Sequence, residues 1–429
     1  MVKKQKPLNV NKKNIFFITS FWPYPNRGGG HIAGSSILES FANNKNINLT
    51  IITYQQTEVT DAKDLTNFLE KYKTISNPQI YMIKHTRVRN PIMIPLFWLK
   101  QTSYFLERDI NKPLKKTLGK LLKEQQFDLM VFDRDLSLGI ANHIFKAYPD
   151  LKTNTIYFSH NIECDITKNQ AKKLSKKYLP LAPLLYLDSL LFCIKEKQLI
   201  KKFTRTYAIS ETDAKYFAKI APKKKFETYP WGFFTKPLPD LQNKLSKNKM
   251  SWPILRTLDT YSWYPNYEGI VWFLKRVWPI VIKLHPKAHI QIAGRGINQT
   301  LANLINSTRN AELVGYLEPE EVDPYVKNAP LMLTVVHGGS GIKIKVLRAI
   351  ANLTPIIANC QATKGLPKDI QKHIPCFESP KKLAKHTAQM LKSAEKRAEQ
   401  IKAFSTFYKN NLHRKNLETF IQKIIKKYA

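Results

Sequence analysis

The stretch LMLTVVHGGSGIKIKVLRAIA, residues 331–351, decides the fold class. An apolar run typical of a buried strand is followed by a glycine-rich turn and then by the apolar spacing of an amphipathic helix. Such a turn brings backbone N–H groups and the positive end of a helix against a ligand, which favours anions. Lys343 and Lys345 add two cations at the start of the helix, an arrangement that suits a diphosphate. The alternative is that both lysines lie on a solvated helix face.

Strand–helix units of this kind recur along the chain and predict an α/β protein with parallel sheets. Apolar runs predict strands at 15–19, 49–53, 80–83, 129–132, 155–158 and 205–209, and a second series at 254–258, 289–293, 313–314, 331–335 and 355–358. Helical periodicity is found at 35–41, 114–122, 136–145, 184–203, 268–284, 301–307, 319–327 and 342–351. The polar, proline-containing stretch between the two series indicates a linker. We therefore predict a first domain at 1–235, a linker at 236–252, a second domain at 253–395 and a helical tail at 396–429.

Length and composition agree with two globular domains. The 429 residues are about three times a typical domain, and the 43% apolar content excludes a disordered or collagenous chain. The net charge of +37 indicates an anionic partner such as a phosphate group or an acidic membrane. A biased base composition explains the many lysines equally well. We recognise no nucleic-acid-binding module, so a specific nucleic-acid partner is not expected.

Four cysteines (Cys164, Cys193, Cys360 and Cys376) are too far apart in sequence for a zinc ribbon or a CxxC pair. A chain of this length builds its core without disulfides, so a reducing, cytoplasmic location is expected. We predict neither a signal peptide nor a spanning helix. Basic residues beside apolar ones indicate contact with the inner face of a membrane, with ordinary helix packing as the alternative; they are Lys172, Lys173, Lys176 and Lys177 before 179–194, and Arg87, Arg89 and Lys100 around 91–99.

Glycine is scarce, yet eight of the 15 glycines fall into three clusters, at 28–30, at 294 and 296, and at 338, 339 and 341. Each cluster follows a predicted strand and precedes a predicted helix, at the sheet edge where α/β folds bind ligands. The alternative is that tight strand-to-helix turns need glycine in any case.

The motifs resemble those of family 4 glycosyltransferases. In the second half they are Trp263-Tyr264-Pro265-Asn266, Gly294-Arg295-Gly296, Gly315-Tyr316 and the run from Gly339 to Leu347; in the first half they are Pro23-Tyr24-Pro25, Gly28-Gly29-Gly30, Ser159-His160-Asn161-Ile162-Glu163 and Ser210-Glu211. The resemblance implies a GT-B fold, with two Rossmann-like domains facing across a cleft and a C-terminal helix crossing back to the first. It also implies transfer of a sugar from a nucleoside diphosphate to an acceptor hydroxyl, with retention and without a metal or other cofactor. The acceptor would be a glycan, a lipid-linked sugar or a protein.

The resemblance assigns roles to residues of the second domain. Lys343 and Lys345 would act in catalysis by stabilising charge on the leaving diphosphate. The expected donor-binding residues are Asp259, Thr260, Tyr261, Gly294, Arg295, Tyr316, His337, Gly339, Ser340, Gly341, Ile342 and Arg348. Among these, Tyr316 would lie near the nucleotide base and Arg295 would add a cation.

In the first domain, the resemblance implies that His160 contacts the transferring sugar, with a structural histidine as the alternative. Gly29, Gly30 and His31 would face the acceptor. The letters Asp133-Arg134-Asp135 match an Asp-x-Asp metal motif, but they follow a strand of the acceptor-side domain, and we interpret them as a polar strand end.

The chain departs from the family pattern in its donor pocket. Many members have two glutamates where Ser340 and Arg348 stand, a glycine at Asp259 and an arginine at His337. Arginine has no acceptor for ribose hydroxyls, and a carboxylate near a diphosphate repels it unless it is paired; Arg348 is the expected partner of Asp259. Two interpretations stay open: an active transferase with a divergent pocket, or an impaired GT-B protein that binds or stabilises an active partner glycosyltransferase.

Overall fold

The first sheet is built from buried, apolar strands that are all parallel. A computed structural model describes residues 12–24, 29–55, 62–88, 90–234, 238–249, 253–338 and 342–429. The strands are β1 Lys13–Thr19, β2 Ile47–Gln55, β3 Gln79–Lys84, β4 Leu129–Asp133, β5 Asn154–Ser159, β6 Arg205–Ala208 and β7 Glu227–Thr228. Their order is β3-β2-β1-β4-β5-β6-β7. The strand order therefore reverses between β1 and β4, where Thr19 pairs with Asp133 at the carboxyl ends.

Helices cover this sheet because parallel strands are joined by crossover connections. They are α1 Gly29–Ala42, α2 Ala62–Tyr72, α3 Ile94–Leu99, α4 Tyr104–Glu107, α5 Lys112–Glu124, α6 Leu136–Ala147, α7 Glu163–Lys177, α8 Ala182–Lys202 and α9 Glu211–Ile220. Ser210 caps α9, since its Oγ accepts a hydrogen bond of 3.1 Å from the Asp213 amide. Phe16, Phe132 and Tyr157 are completely buried in the core between sheet and helices.

The second sheet has five parallel strands in the order β10-β9-β8-β11-β12. They are β8 Ile254–Thr260, β9 His289–Arg295, β10 Ala311–Gly315, β11 Leu331–Thr334 and β12 Ile356–Ala358. The remaining helices are α10 Leu241–Lys249, α11 Tyr264–Trp272, α12 Trp278–Leu284, α13 Gln299–Asn306, α14 Pro319–Lys327, α15 Ile344–Ala351, α16 Cys360–Thr363, α17 Lys368–Gln371, α18 Pro380–Lys392, α19 Ala394–Phe407 and α20 Arg414–Tyr428. A π-helical segment, Phe273–Val277, joins α11 to α12. The predicted α/β class with two parallel sheets is confirmed.

The chain divides into two compact units, and the first is discontinuous in sequence. It comprises Met1–Pro230 and Leu417–Ala429, while Trp231–Asn416 forms the second. The end of α20 packs on the first sheet: the Phe420 ring lies 5.0 Å from that of Tyr207, and the Tyr428 hydroxyl accepts a 2.7 Å hydrogen bond from Arg205 Nε.

The predicted linker at 236–252 contains a helix, α10. Its residue Asn248 is buried, and the Asn248 side-chain oxygen accepts a 2.7 Å hydrogen bond from Arg397 Nε of α19. The polar composition of this segment hid the helix because most of its side chains face water.

The cysteines are paired, which corrects the expectation of a core without disulfides. Cys164 on α7 bonds Cys193 on α8, and Cys360 bonds Cys376. The sequence separations of 29 and 16 residues gave no sign of this, because the pairing depends on segments that meet only after folding. Within the described residues, no helix combines the length and apolarity that crossing a bilayer requires.

Candidate functional site

The order of the second sheet brings candidate donor-binding residues to one edge. β8 lies between β9 and β11, so the strand order reverses at β8, and α/β proteins bind ligands at the carboxyl ends of strands at such a point. Asp259 and Thr260 end β8, Arg295 ends β9 and Gly315 ends β10. The ends of β8, β9 and β10 therefore all carry candidate residues at this edge of the sheet.

An ion pair links the end of β8 to the start of α15. Lys345 Nζ lies 2.6 Å from Asp259 Oδ2 and donates a 3.1 Å hydrogen bond to Asn266 Oδ1. The side chains are 19% exposed for Lys345 and 8% for Asp259. Burial raises the pKa of the Asp259 carboxyl and lowers the pKa of the Lys345 ammonium, and in each case the partner's charge opposes the shift. The pair thus holds a cation beside the sheet edge without leaving it in bulk water.

The expected pairing of Asp259 with Arg348 is wrong. Arg348 Nε lies 3.5 Å from Asp323 Oδ1 of α14. Arg348 occupies the last turn of α15, whereas Lys345 lies in its first turn beside β8. Proximity to the strand end therefore decides the partner of Asp259.

Both candidate lysines are shielded from water. Lys343 is the residue that precedes α15 and is 6% exposed, and Ile342 before it is 7% exposed. The alternative of a solvated helix face is therefore wrong for Lys343 and Lys345. The other predicted residues of this turn, Gly339, Ser340 and Gly341, lie outside the described residues.

The glycines at the end of β9 are explained by close backbone approach. A Cβ at Gly294 would lie 2.0 Å from the Asp259 carbonyl oxygen, and one at Gly296 would lie 2.8 Å from the Ser262 amide nitrogen. Both glycines also have positive φ, at 151° and 75°. This cluster therefore serves the contact between β9 and the turn after β8.

A pocket of about 290 Å³ opens beside these strand ends. Its lining is mostly small and apolar, as in many small-molecule sites; the residues are Gly294, Gly296, Ile297, Ala302, Leu313, Gly315 and Tyr316. Tyr316 is 52% exposed, so its ring is accessible for stacking. The Arg295 side chain is exposed to solvent.

Two other predicted donor residues are held by local packing. Tyr261 is 2% exposed, and its amide donates a 2.7 Å hydrogen bond to the Arg295 carbonyl. The His337 ring lies 5.1 Å from the Trp272 ring, and the His337 amide donates to the Pro265 carbonyl. These contacts fix the loops around the strand ends.

In the first unit, His160 forms a buried pair with Asp133. His160 Nε2 lies 2.8 Å from Asp133 Oδ1, and the Thr19 hydroxyl donates a 2.9 Å hydrogen bond to Asp133 Oδ2. His160 is 7% exposed and Asp133 is completely buried. The pair lies at the carboxyl ends of β1, β4 and β5, again where the strand order reverses.

The charges of this pair follow from burial. Burial lowers the pKa of the His160 ring, although the Asp133 carboxylate opposes the shift. Burial would raise the pKa of Asp133, but His160, with help from Arg134, outweighs it and holds the pKa below its usual value. When the ring is neutral, donation from Nε2 to the carboxylate leaves Nδ1 unprotonated. In that tautomer Nδ1 of His160 is a hydrogen-bond acceptor.

Asp133 was missed at the level of the sequence. The Asp133-Arg134-Asp135 triplet does mark a polar strand end, since Asp133 ends β4, but the sequence did not indicate that Asp133 is buried and Arg134 only 5% exposed. The signal that points to them is a cluster of charges directly after a wholly apolar strand.

Gly29 and Gly30 begin α1, and the His31 ring lies 4.7 Å from that of Phe21.

Part of the chain is similar to known glycosyltransferases. Residues 260–393 match a family model described as Glycosyl transferases group 1. A curated relative, an uncharacterized protein in the cps region of Klebsiella pneumoniae, is 27% identical over 105 residues. That match covers 23% of this chain and 27% of the relative's length.

Solved structures match nearly the whole chain at low identity. HepE from Anabaena in complex with UDP-glucose superposes with a TM-score of 0.61 and 13% identity, over 96% of this chain and 99% of HepE. WaaG, a glycosyltransferase involved in lipopolysaccharide biosynthesis, gives a TM-score of 0.60 and 14% identity, over 96% and 100%. The predicted resemblance to family 4 glycosyltransferases is therefore confirmed at the level of the group 1 domain and the GT-B fold.

Proposed function

We propose that this chain, which carries a glycosyl transferases group 1 domain, moves a sugar from a nucleoside-diphosphate sugar to an acceptor hydroxyl. The observation that carries the proposal is the shielded Lys345 at the start of α15, 2.6 Å from Asp259 and on the same sheet edge as the pocket by Tyr316. A cation at a helix N-terminus suits a diphosphate, and a pocket with an accessible aromatic ring suits a base.

In the proposed reaction the second unit binds the donor and stabilises its leaving group. The bond between the anomeric carbon and the diphosphate oxygen breaks, the acceptor oxygen bonds to that carbon, and the hydroxyl proton passes to the departing phosphate. Lys345, Lys343 and the N-terminus of α15 would stabilise the negative charge that develops on the diphosphate. His160 in the first unit would accept a hydrogen bond from a sugar hydroxyl through Nδ1. We infer retention of configuration from the family resemblance.

Binding of UDP, the nucleotide found with HepE, tests the donor site. We expect millimolar UDP to raise the melting temperature of the parent protein, and a Lys345→Met variant to lose at least about tenfold in UDP affinity, as expected for a charge-assisted contact. Lys275→Met removes an exposed lysine of the same unit and serves as the control. Equal UDP affinity for all three proteins would contradict the proposal.

A second candidate function is a non-catalytic subunit that stabilises an active partner glycosyltransferase. The Asp259–Lys345 pair favours this candidate, because the Lys345 ammonium is already paired with a carboxylate. Arg348 also favours it, because arginine cannot accept a hydrogen bond from ribose. A screen of nucleotide sugars for hydrolysis, run with UDP binding, separates the two candidates. Turnover of any donor excludes the subunit, whereas an unshifted melting temperature without turnover favours it.

We also propose that the first unit lies on the inner face of a membrane, where a lipid-linked acceptor is reached. Ile92, Leu99 and Leu179 are 66%, 81% and 74% exposed. They lie on neighbouring segments, since Trp98 Nε1 of α3 donates a 2.7 Å hydrogen bond to Asp188 Oδ1 of α8. The last turn of α7 adds lysines, and a cation near an anionic leaflet contributes about 1 kcal/mol.

Co-sedimentation with vesicles tests this surface. We expect binding to phosphatidylcholine vesicles that contain phosphatidylglycerol, and weaker binding for Leu99→Asp. Leu284→Asp changes an exposed leucine of the second unit and should bind as the parent does. Binding that does not depend on the anionic lipid would refute the idea.

A further inference from the structure

Arg134 is packed closely between the end of β4 and the start of α1. It directly follows β4 at the point where the strand order reverses, with a left-handed φ of 72°. A Cβ added at Gly34 would lie 2.5 Å from Arg134 Nη2, and one added at Gly30 would lie 3.2 Å from Nη1. Gly30 and Gly34 are one helical turn apart, so the guanidinium runs along a face of α1 that carries no side chain.

The guanidinium is buried and incompletely satisfied. Arg134 is 5% exposed, and its Nε and Nη2 atoms have no hydrogen-bond partner within the part of the chain that the structure describes. The Asp133 Oδ2 atom is 3.5 Å from Nε, but this carboxylate already accepts hydrogen bonds from His160 and Thr19. The Phe21 ring lies 4.4 Å from the guanidinium carbon. Buried guanidinium groups normally have their donors paired.

The start of α1 adds positive charge at the same place. A helix N-terminus carries about half an elementary charge on its free N–H groups, and α1 has no acidic residue in its first turn. A buried cation at the positive end of a helix is unfavourable without a matching anion, and the nearby carboxylate, Asp133, is shared with His160 and Thr19. The carboxylate of Asp135 does not fill this role, since it is exposed and accepts a hydrogen bond from Ser20.

We propose that Arg134 and the N-terminal turn of α1 bind a phosphoryl group carried by the acceptor. This inference rests on the proposed function, because it makes the first unit the acceptor-binding unit and limits the acceptor to phosphorylated molecules, such as a phosphosugar or a lipid phosphate. Arginine and helix N-terminal amides together recognise phosphate oxygens.

Inorganic phosphate in the presence of saturating UDP tests the site in the full-length protein. UDP fills the proposed donor site, so that phosphate reports on the first unit. We expect phosphate to raise the melting temperature of the parent above its value with UDP alone. The Lys168→Met control, which lacks an exposed lysine of the same unit, should show the same rise. Arg134→Met should lower the affinity for phosphate at least about tenfold. Gly34→Ala should also lower this affinity, although it keeps the Arg134 charge, because the added Cβ would displace Arg134 Nη2. Acetate at equal ionic strength should give no comparable shift.

The outcomes separate this inference from the proposed function. UDP alone should still stabilise Arg134→Met, which also shows that the variant is folded. If UDP stabilises Arg134→Met and phosphate acts equally on parent and variant, the acceptor site is refuted while the donor site stands. If the UDP shift itself requires Arg134, or UDP abolishes the phosphate shift, the anion site belongs to the donor and the inference is wrong.

Discussion

Removing the Asp259 carboxylate is expected to strengthen nucleotide binding. In the unbound protein Lys345 Nζ lies 2.6 Å from Asp259 Oδ2. A phosphate oxygen about 2.8 Å from the same ammonium, bound to a second N–H at a roughly tetrahedral angle, would lie roughly 4 to 5 Å from the carboxylate. At an effective dielectric constant near 20, two like charges at that distance repel by about 3 to 4 kcal/mol.

The Asp259→Asn substitution removes this repulsion and also destabilises the unbound state. It leaves Lys345 buried beside an uncharged amide, and breaking a buried pair costs about 3 to 5 kcal/mol. The removed repulsion strengthens binding, whereas the lost pair lowers the stability of the protein whether or not nucleotide is bound. Allowing for relaxation and water, we expect a gain of about 2 kcal/mol, or roughly 30-fold in affinity, with a lower melting temperature in the absence of nucleotide.

Isothermal titration with UDP, paired with thermal unfolding, measures both quantities. Glu399→Gln removes one negative charge from an exposed position of the same unit and controls for net charge. Because burial raises the pKa of Asp259, lowering the pH should strengthen UDP binding to the parent more than to Asp259→Asn. If Asp259→Asn binds UDP no more tightly than Glu399→Gln does, the carboxylate does not compete with the diphosphate and the reasoning fails.

Three further predictions concern stability and the first-unit site. Burial raises the pKa of Glu196 from 4.5 to about 7, so between these pH values the native state binds a proton that the unfolded state has lost. The free energy of unfolding should therefore fall by about 3 kcal/mol as the pH rises from below 4.5 to above 7. Urea titrations of Glu196→Gln should show a smaller change of unfolding free energy with pH. Gly269→Ala should lower the unfolding free energy by about 1 to 3 kcal/mol, because its Cβ would lie 2.5 Å from the Val335 carbonyl oxygen; an unchanged denaturation midpoint would contradict this contact. Asp133→Asn should reduce kcat at least about tenfold with UDP affinity unchanged, because the neutral tautomer of His160 is no longer held; a loss of UDP affinity instead would point to a structural role.

Sequence patterns predicted the fold better than they predicted the site. Apolar runs located most strands because buried parallel strands are continuously apolar, but β7, with two half-buried residues, has no such run. The helices α2 and α7 were also missed; α7 is rich in lysine and polar residues, and only its narrow buried face marks it as amphipathic.

The site depended on contacts between elements distant in sequence. Lys345 was a candidate because it begins a helix after a glycine turn, which is a local feature. Its partner Asp259 is 86 positions away, and the distance between β8 and α15 decides the pairing over Arg348. The Asp133–His160 pair likewise depends on neighbouring strands, β4 and β5. Local patterns identify residue types at strand ends, whereas pairing requires the strand order.

The discontinuous first unit has a consequence for synthesis. During translation, residues 1–230 leave the ribosome long before Leu417–Ala429. The surface around Tyr207 and Arg205 therefore stays exposed while the second unit is synthesised. Nascent chains should therefore expose this surface to chaperones until α20 emerges. A recombinant fragment that stops at residue 230 should regain solubility when a synthetic peptide of residues 414–429 is supplied in trans.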